Sequence, residues 1–449
     1  MSKNIFLILV YLLVGKFSYS QSTLEQYIQE GLTKNQSIQQ QQFAYEKSVY
    51  ALKEAKALFL PKISLVTDYF LAGGGRTIDF PTGDLLNNAY SSLNQLTNSN
   101  NFPQLENERI LLNPDNFYDA KFRTTLPLLN PEIEYNKRVK KEQVSMQQVE
   151  IDLYKRELVK EIKVAYFTYL QSVQAIKIYD FALEILEESK RVNESLFNND
   201  KANRLVVLRS QNEIVRIEAI RLNAQENSNS AQAYFNFLLN KDFNNSIKID
   251  STYQSVAVSF ADSASVSQRE ELLKLKIAGS INQHLSDLSK SYIIPKINTF
   301  LDLGSQGFDW QFDNRSRYYF FGVSLQWDLF SSGKNFNKVQ QARLDNKIVQ
   351  SQSDYITDQL QLQFTTTVNN FNSSIASYQA SVSVFKTAQT YYKDMLRLYK
   401  EGQALFIELL DAQNQLIQSE LQVNISLYDT YIKAADIERA DATYNLNNY

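Results

Sequence analysis

The sequence predicts a mainly α protein with a small β part, in which very long helices alternate with two strand-bearing inserts. Three observations support this: the distribution of proline and glycine, the spacing of apolar residues, and an internal repeat. Proline removes a helical hydrogen bond and glycine raises the cost of ordering, so long helices need stretches without them. Across 449 residues, these two residue types concentrate in residues 61–131 and 279–333, and residues 132–278 contain neither.

The long helices are expected to be amphipathic. After residue 132, apolar residues recur at spacings of seven, four and three, which is the helical period. These residues are Ile151, Leu158, Ile162, Ala165, Tyr169, Val173 and Ile176. A single apolar stripe is buried only against a partner, so we expect each long helix to pack on another helix.

Helix boundaries are also marked in the sequence. Asn130 is a suitable cap and Pro131 suits the first helical position, whereas Lys400 followed by Gly402 is typical of a helix end. We therefore predict a helix from about Ile133 to Leu196, roughly 90 Å long at 1.5 Å per residue.

The chain contains two copies of one pattern. A shift of 202 positions aligns Leu158 with Leu360, Leu208 with Leu410, and Gln211 with Gln413. Upstream, a shift of 234 positions aligns Pro61 with Pro295, so the first insert is the longer one. We expect two repeats, about residues 21–240 and 265–449, each with the order helix, insert, very long helix, turn and helix. No linker separates them, which predicts one single unit.

Each insert contains two candidate strands with a two-residue period. In the first insert, apolar or small residues of one strand alternate with Asp119, Lys121 and Arg123. The four alternating sets are Ile63, Leu65, Thr67, Tyr69 and Leu71; Tyr118, Ala120, Phe122, Thr124 and Leu126; Ile297, Thr299, Leu301 and Leu303; and Tyr319, Phe321, Val323, Leu325, Trp327 and Leu329. Their lengths suit tilted membrane strands, and Trp310 and Trp327 near strand ends suit membrane-interface aromatics.

A soluble sheet packed on the helices is the alternative interpretation of these strands. It is weaker because the helices already have partners. In lipid, however, four strands cannot close a barrel, since the outer two would leave unpaired backbone groups in hydrocarbon. A membrane location therefore requires several copies of the chain.

The N-terminus predicts export. Lys3, the apolar run Ile5–Val14 and the small residues Ser18 and Ser20 have the order of a signal peptide, which we place at residues 1–20. Ten apolar residues are too few to span a bilayer.

Composition argues against several classes of function. The chain has no cysteine, one histidine and a formal net charge of -3, so we expect no thiolate or histidine-rich metal site and no nucleic-acid partner. No motif for a cofactor or for catalysis is present, and His284 has no evident acid–base partner, so we expect neither a cofactor nor an enzyme.

The sequence resembles the TolC family of outer-membrane efflux proteins over essentially the whole mature chain. The resemblance rests on Pro127-Leu128-Leu129-Asn130 and Asp328-Leu329-Phe330-Ser331-Ser332-Gly333-Lys334, each before a long helix. It also rests on Leu398-Tyr399-Lys400-Glu401-Gly402-Gln403-Ala404, which leads into Leu409-Leu410-Asp411-Ala412-Gln413. No single one of these features is specific to the family, whereas their duplicated order is.

The resemblance implies a homotrimer in the outer membrane that extends into the periplasm. Each protomer would give four strands, within about residues 61–128 and 295–330, to a 12-stranded β-barrel in outer-membrane lipid, and its helices to an α-barrel. Residues 241–266 and the tail after Ala434 would form an equatorial region, and Gly73 to Asn113 a long extracellular loop.

The implied function is the passive exit duct of a tripartite efflux or type I secretion system, which exports small molecules or proteins. Its partners would be a periplasmic adaptor (membrane fusion) protein and an inner-membrane transporter that supplies the energy. A structural coiled-coil scaffold or adhesin of the envelope is the alternative, but it leaves the strands and the repeat unexplained.

The resemblance also implies a periplasmic aperture near the second helical turn. Glu408 and Asp411 match two pore-facing acids, although acids three apart on a helix are also typical of a solvated face. Tyr399 matches a tyrosine that helps to close the entrance, but the position of its acidic partner holds Val206. We therefore hypothesise that Arg204 or Arg209 pairs with one of the two acids of another protomer.

The two helical turns, near residues 198–203 and 400–404, would be the tips where the adaptor docks. The residues expected there are Asn199, Asp200, Lys201, Glu401, Gly402 and Gln403.

Overall fold

The computed structural model describes residues 23–113, 115–254 and 266–446. The predicted signal peptide and residues 255–265 of the expected equatorial segment lie outside the described residues. The helices are α1 (Thr23–Lys34), α2 (Gln36–Ala57), α3 (Thr82–Thr97), α4 (Pro131–Asn198), α5 (Arg204–Leu238), α6 (Glu270–Lys290), α7 (Lys334–Lys400) and α8 (Phe406–Asp441). The strands are β1 (Lys62–Phe70), β2 (Thr77–Phe80), β3 (Glu108–Leu111), β4 (Phe117–Leu129), β5 (Lys296–Phe308) and β6 (Arg317–Gln326). The predicted mainly α class with a small β part is confirmed.

The chain divides into two compact units, each built from both repeats. The helical unit comprises Met1–Val49, Glu142–Asn282 and Asp345–Tyr449. The sheet unit comprises Tyr50–Lys141 and Gln283–Leu344.

Helix α4 begins where the sequence indicates. Its first residue is Pro131, and the side-chain oxygen of Asn130 accepts a hydrogen bond from the Glu132 amide at 3.1 Å. A helix of 68 residues follows, two residues longer at each end than we predicted. The absence of proline and glycine after residue 132 explains this length.

The core of the helical unit brings helices from the two repeats together. Leu158 and Ile162 of α4 pack in one cluster with Ile28 of α1, Phe235 of α5 and Tyr431 of α8. The predicted stripe is buried from Ile151 to Ala165, but further on Ile178 is buried and Ile176 is only half-buried. The buried face shifts because a straight helix of 3.6 residues per turn drifts away from a seven-residue repeat.

Buried charges of the helical unit are held in ion pairs. The guanidinium of Arg439, in the last turn of α8, donates to Glu157 Oε2 at 2.9 Å and to Glu271 Oε1 at 2.8 Å. Arg269 also donates to Glu271 Oε1, at 2.6 Å. Burying a charge is costly unless it is paired, so these contacts fix the start of α6 and the end of α8 to α4.

The sheet unit contains a four-stranded antiparallel sheet with the order β1-β4-β5-β6. The two strands predicted in each insert pair with each other, β1 with β4 and β5 with β6. The two pairs join through β4 and β5, where Phe122 lies opposite Leu303. Strand β6 ends at Gln326, earlier than the alternation that we followed to Leu329. Strands β1 and β6 are the two edges, and neither pairs with a further strand among the described residues.

The residues expected to form a long loop, Gly73 to Asn113, have secondary structure of their own. They contain the two-stranded sheet of β2 and β3 and the 16-residue helix α3. The Asn- and Ser-rich composition concealed α3 because these residues usually favour turns over helix interiors.

Two features are absent from the part of the chain that the structure describes. None of the helices there has an apolar stretch suited to crossing a bilayer. No cluster of metal-binding side chains occurs in the same ranges.

The ion pairs of Glu271 predict a pH-dependent contribution to stability. Burial alone would raise the pKa of Glu271, but hydrogen bonds from Arg269 and the charge of Arg439 outweigh it and lower the pKa to about 2 from 4.5. Glu271 therefore stabilises the fold fully above pH 4.5, and this contribution is lost as the pH falls from there towards 2. We expect Glu271→Gln to lower the melting temperature at pH 7. The difference in melting temperature between this variant and wild type should become smaller as the pH falls from 4.5 towards 2.

The matched control is Glu46→Gln, which removes an exposed carboxylate of the same unit. Its melting temperature should follow that of wild type throughout. A gap for Glu271→Gln that stays constant between pH 7 and pH 3 would contradict the role given to this ion pair.

Candidate functional site

The candidate site lies in the helical unit, where each long helix turns into the next. After α4 ends at Asn198, Asp200 adopts a left-handed conformation with φ of 56°, and the Lys201 amide donates to the Leu196 carbonyl at 2.8 Å. The side chain of Asn203 caps α5 by accepting from the Leu205 amide at 3.1 Å. The expected tip residues Asn199, Asp200 and Lys201 are all exposed.

The second turn repeats this geometry at the predicted shift. Gly402 takes the place of Asp200 with φ of 75°, and the Gln403 amide donates to the Leu398 carbonyl at 2.9 Å. Left-handed backbone is costly for a residue with a Cβ atom, so glycine is the favoured residue at this helix end. Glu401, Gly402 and Gln403 are exposed. The repeat seen in the sequence is therefore a repeat of backbone structure.

Both candidate acids lie on the exposed face of α8. Glu408 and Asp411 are exposed, whereas Leu409 and Leu410 between them are buried. Glu408 also closes the start of its own helix, because its Oε2 accepts from the Leu405 amide at 2.7 Å. Asp411 accepts from the Gln415 side chain at 2.7 Å. Both carboxylates thus remain open to solvent and to ions.

The candidate arginines are also exposed, in the first two turns of α5. Arg204 and Arg209 form no ion pair with another part of the chain that the structure describes. One copy of the chain does not bring them to Glu408 or Asp411, and pairing across copies stays a hypothesis.

Tyr399 lies inside the protomer and links three helices. Its side chain is buried, and its hydroxyl group donates to the side-chain oxygen of Asn193 on α4. The amide of Asn193 donates to Ser210 Oγ of α5 at 2.7 Å. Burial raises the pKa of the Tyr399 hydroxyl. The tyrosine is therefore neutral at ordinary pH, and its partner is a neutral amide in place of a carboxylate.

A second buried hydrogen bond also joins the helical hairpin of α4 and α5 to the hairpin of α7 and α8. Gln413 of α8 donates from Nε2 to Ser189 Oγ of α4 at 2.5 Å, and both side chains are almost fully buried. Ser189 and Asn193 continue the buried stripe of Ala182 and Leu186 at spacings of three and four. Polar residues within an apolar stripe are the sequence feature that indicates such buried links, and our predictions from the sequence did not include them.

The two tryptophans occupy opposite ends of the β5–β6 hairpin in the sheet unit. Trp310 lies in the turn, where its ring stacks on Tyr118 with centroids 5.3 Å apart and on Tyr69 at 5.0 Å. Trp327 directly follows β6 at the other end and is half exposed. Aromatic residues at both ends of a strand pair suit the two interfaces of a membrane.

The Tyr399 link predicts a specific local weakening. Tyr399→Phe removes the hydroxyl group and leaves the buried oxygen of Asn193 without its donor, a cost of about 1–3 kcal/mol. We expect faster native-state hydrogen exchange for amides around Asn193 and Ser210. The control Tyr391→Phe changes an exposed tyrosine of the same helix and should leave the exchange unaltered. Equal exchange in both variants would show that the link does not hold the tips.

Comparisons with known proteins bear on this architecture. Residues 261–443 match the family model described as Outer membrane efflux protein. None of the curated proteins matches the sequence.

Solved structures of outer-membrane channels share the fold. CusC, whose structures concern transmembrane channel formation, aligns at a TM-score of 0.77 with 12% identity, over 94% of this chain and 92% of its own. The outer membrane protein VceC of Vibrio cholerae gives 0.73 with 12% identity, over 94% and 97%. The MtrE outer membrane channel of Neisseria gonorrhoeae, in its open state, gives 0.73 with 13% identity, over 93% and 88%.

The family match covers the second repeat, and the structural matches extend over nearly the whole of each chain. Together with the duplicated turns, they confirm the resemblance seen in the sequence: residues 261–443 match the Outer membrane efflux protein family, and the fold of nearly the whole chain is that of solved outer-membrane channels.

Proposed function

We propose that this chain is the outer-membrane exit duct of a tripartite efflux or type I secretion system. Three copies form one channel through which small molecules or proteins leave passively. A periplasmic adaptor protein docks at the helical tips, and an inner-membrane transporter supplies the energy.

The observation that supports this proposal most directly is the polarity of the four-stranded sheet. One face carries large apolar side chains that remain exposed in the protomer: Ile63, Leu65, Phe122, Leu303, Tyr319, Phe321, Val323 and Leu325. A soluble sheet would bury such a face on its own helices. Lipid solvates it without further protein contacts.

The other face of the same sheet is more polar: it carries the charged side chains of β4 and β5, together with Phe300 and Phe320. The guanidinium of Arg123 on β4 binds both carboxylate oxygens of Asp302 on β5, at 2.8 and 2.6 Å. Tyr318 of β6 donates to Asp119 at 2.6 Å. A polar face opposite an apolar face is the arrangement of a membrane barrel that encloses water.

The free edges of β1 and β6 support assembly of several copies. Each edge presents unpaired backbone groups, which cost several kcal/mol each in hydrocarbon. If β6 of one copy pairs with β1 of the next, no edge remains. Three copies of four strands give a barrel of 12.

The helical tips are proposed to be the gated periplasmic entrance. The buried Tyr399–Asn193 and Gln413–Ser189 links would hold the two helical hairpins of a protomer together in the closed state. Opening exchanges these neutral hydrogen bonds for bonds to water, which is a small net change in free energy. In this proposal the energy for transport comes from the inner-membrane transporter.

A structural scaffold or adhesin, the alternative function, would require a different environment for the apolar face of the sheet. A scaffold in the periplasm would have to cover the apolar face with protein, and nothing in the described part of the protomer covers it. An experiment that distinguishes the duct from the scaffold therefore changes residues on this face.

Two adjacent phenylalanines give a matched pair for that test. Phe321 and Phe320 are similarly exposed, at 67% and 62%, but lie on opposite faces of β6. Lysine on the lipid face of a barrel costs about 2–4 kcal/mol at the bilayer midplane. We expect Phe321→Lys to abolish heat-modifiable trimers in outer-membrane fractions, whereas Phe320→Lys should still assemble and conduct in planar bilayers. Equal assembly of both variants, or a soluble monomeric wild type, would refute the duct.

The exposed acids of α8 predict the ion preference of the channel. Glu408→Gln combined with Asp411→Asn removes both charges, while glutamine retains the capping role of Glu408. In a trimer this removes six carboxylates from the entrance, so we expect the preference for cations over anions to fall. The measurement is the reversal potential of purified trimers in a salt gradient.

The control is Glu401→Gln, which removes an exposed charge from the nearby turn. It should change the reversal potential much less. If the double variant conducts with the same selectivity as wild type, the two acids do not line the pore.

A further inference from the structure

The connection between β1 and β4 is far longer than a hairpin requires. Antiparallel neighbours are commonly joined by two to five residues. Here the connection carries β2, β3 and α3, which we call the mouth insert, Gly73 to Asn113. It leaves the sheet beyond the pair Phe70 and Phe117, at the opposite end from the start of α4. In the proposed duct this end faces outwards from the cell.

The polar face of helix α3 forms hydrogen bonds within the mouth insert. Asn87 bonds both backbone groups of Leu105, by donating to the carbonyl at 2.9 Å and accepting from the amide at 2.7 Å. Asn94 does the same with Phe102, at 2.7 and 3.1 Å. A Cβ atom on Gly83 would lie 2.3 Å from the Leu105 carbonyl oxygen, so this contact is close.

The opposite face of α3 is consequently apolar and uncovered in the protomer. Leu96 is 83% exposed and Leu85 is 65% exposed, and Leu86 and Leu93 adjoin them on the same side. A surface helix normally buries its apolar face and solvates its polar face. In α3 this order is inverted, so a further contact is needed to remove the leucines from water.

The charges of the mouth insert disfavour lipid as that contact. Helices that lie on anionic membranes carry lysine and arginine on their polar face. The only charged residue of α3 is Asp84. Over the whole mouth insert, Arg76 and Arg109 are outnumbered by acidic residues, which are Asp79, Asp84, Glu106 and Glu108. An anionic lipid surface would repel this segment.

The position of the mouth insert favours a second copy of the chain. The insert continues directly from β1, which is an edge strand of the sheet. In the closed barrel that edge meets the next protomer, so each insert is rooted beside a protomer boundary. We propose that the leucine faces of α3 from the three copies pack against one another and narrow the outer mouth of the channel. This inference rests on the proposed trimer.

Single cysteines test this contact, because the chain has none of its own. Leu96→Cys places a thiol on the apolar face, and Gln95→Cys places one on the adjacent exposed residue away from it. Purified trimers of each variant are treated with a short bismaleimide. We expect a covalent dimer for Leu96→Cys and loss of that product for Gln95→Cys.

Conductance provides the functional readout. The double variant Leu85→Glu and Leu96→Glu puts acidic charges on all three faces, so the contact should open and the single-channel conductance should rise. Gln95→Glu, as the matched control, should conduct like wild type.

The outcomes separate this inference from the proposed function. If wild-type trimers do not form, the duct fails and this inference fails with it. If trimers form but Leu96→Cys yields no covalent dimer, or if a bimane label there is quenched by spin-labelled lipid, the contact between copies is wrong and the duct stands. Equal cross-linking of Gln95→Cys would likewise overturn it.

Discussion

An unpaired sheet edge is the constraint on which this structure depends. The four strands satisfy their backbone hydrogen bonds only in the interior of the sheet, and β1 and β6 each keep one open side. In hydrocarbon no water can complete these bonds, so one protomer cannot be a stable membrane unit. The assembly of three copies that we propose would pair both edges within one barrel.

The helical unit must hold long helices together, and in the proposed duct it must also let their turns move apart. Its core combines apolar clusters with buried pairs such as Arg439 with Glu271 and with neutral links such as Tyr399 with Asn193. Breaking a buried ion pair leaves an uncompensated charge and is costly, whereas a neutral link exchanges for water at little net cost. The ionic pairs therefore suit a fixed part of the unit, and the neutral links near the turns suit the opening that we propose for the helical tips.

The two repeats share their helical turns but differ in the connection between their strands. Their helical turns keep the same backbone bonds at a shift of 202 positions, from Leu196 to Leu398. The outer connections differ: the second is a short turn closed by Trp310, and the first is the mouth insert with α3. A turn in water tolerates insertion far better than a packed helix core does.

The sequence alone determined the long helices, the four strands, their faces and the two turns, because these depend on local rules. Proline and glycine limit helices, side-chain period selects the buried face, and Asn130 and Gly402 mark helix ends. Tertiary structure decided which polar residues meet: Asn193 with Tyr399 and Ser189 with Gln413 come from distant segments. It also decided the inverted polarity of α3, since Asn87 and Asn94 favour a helix only when Leu105 and Phe102 supply partners. Such contacts depend on how distant parts of the chain fold back, which no local pattern specifies.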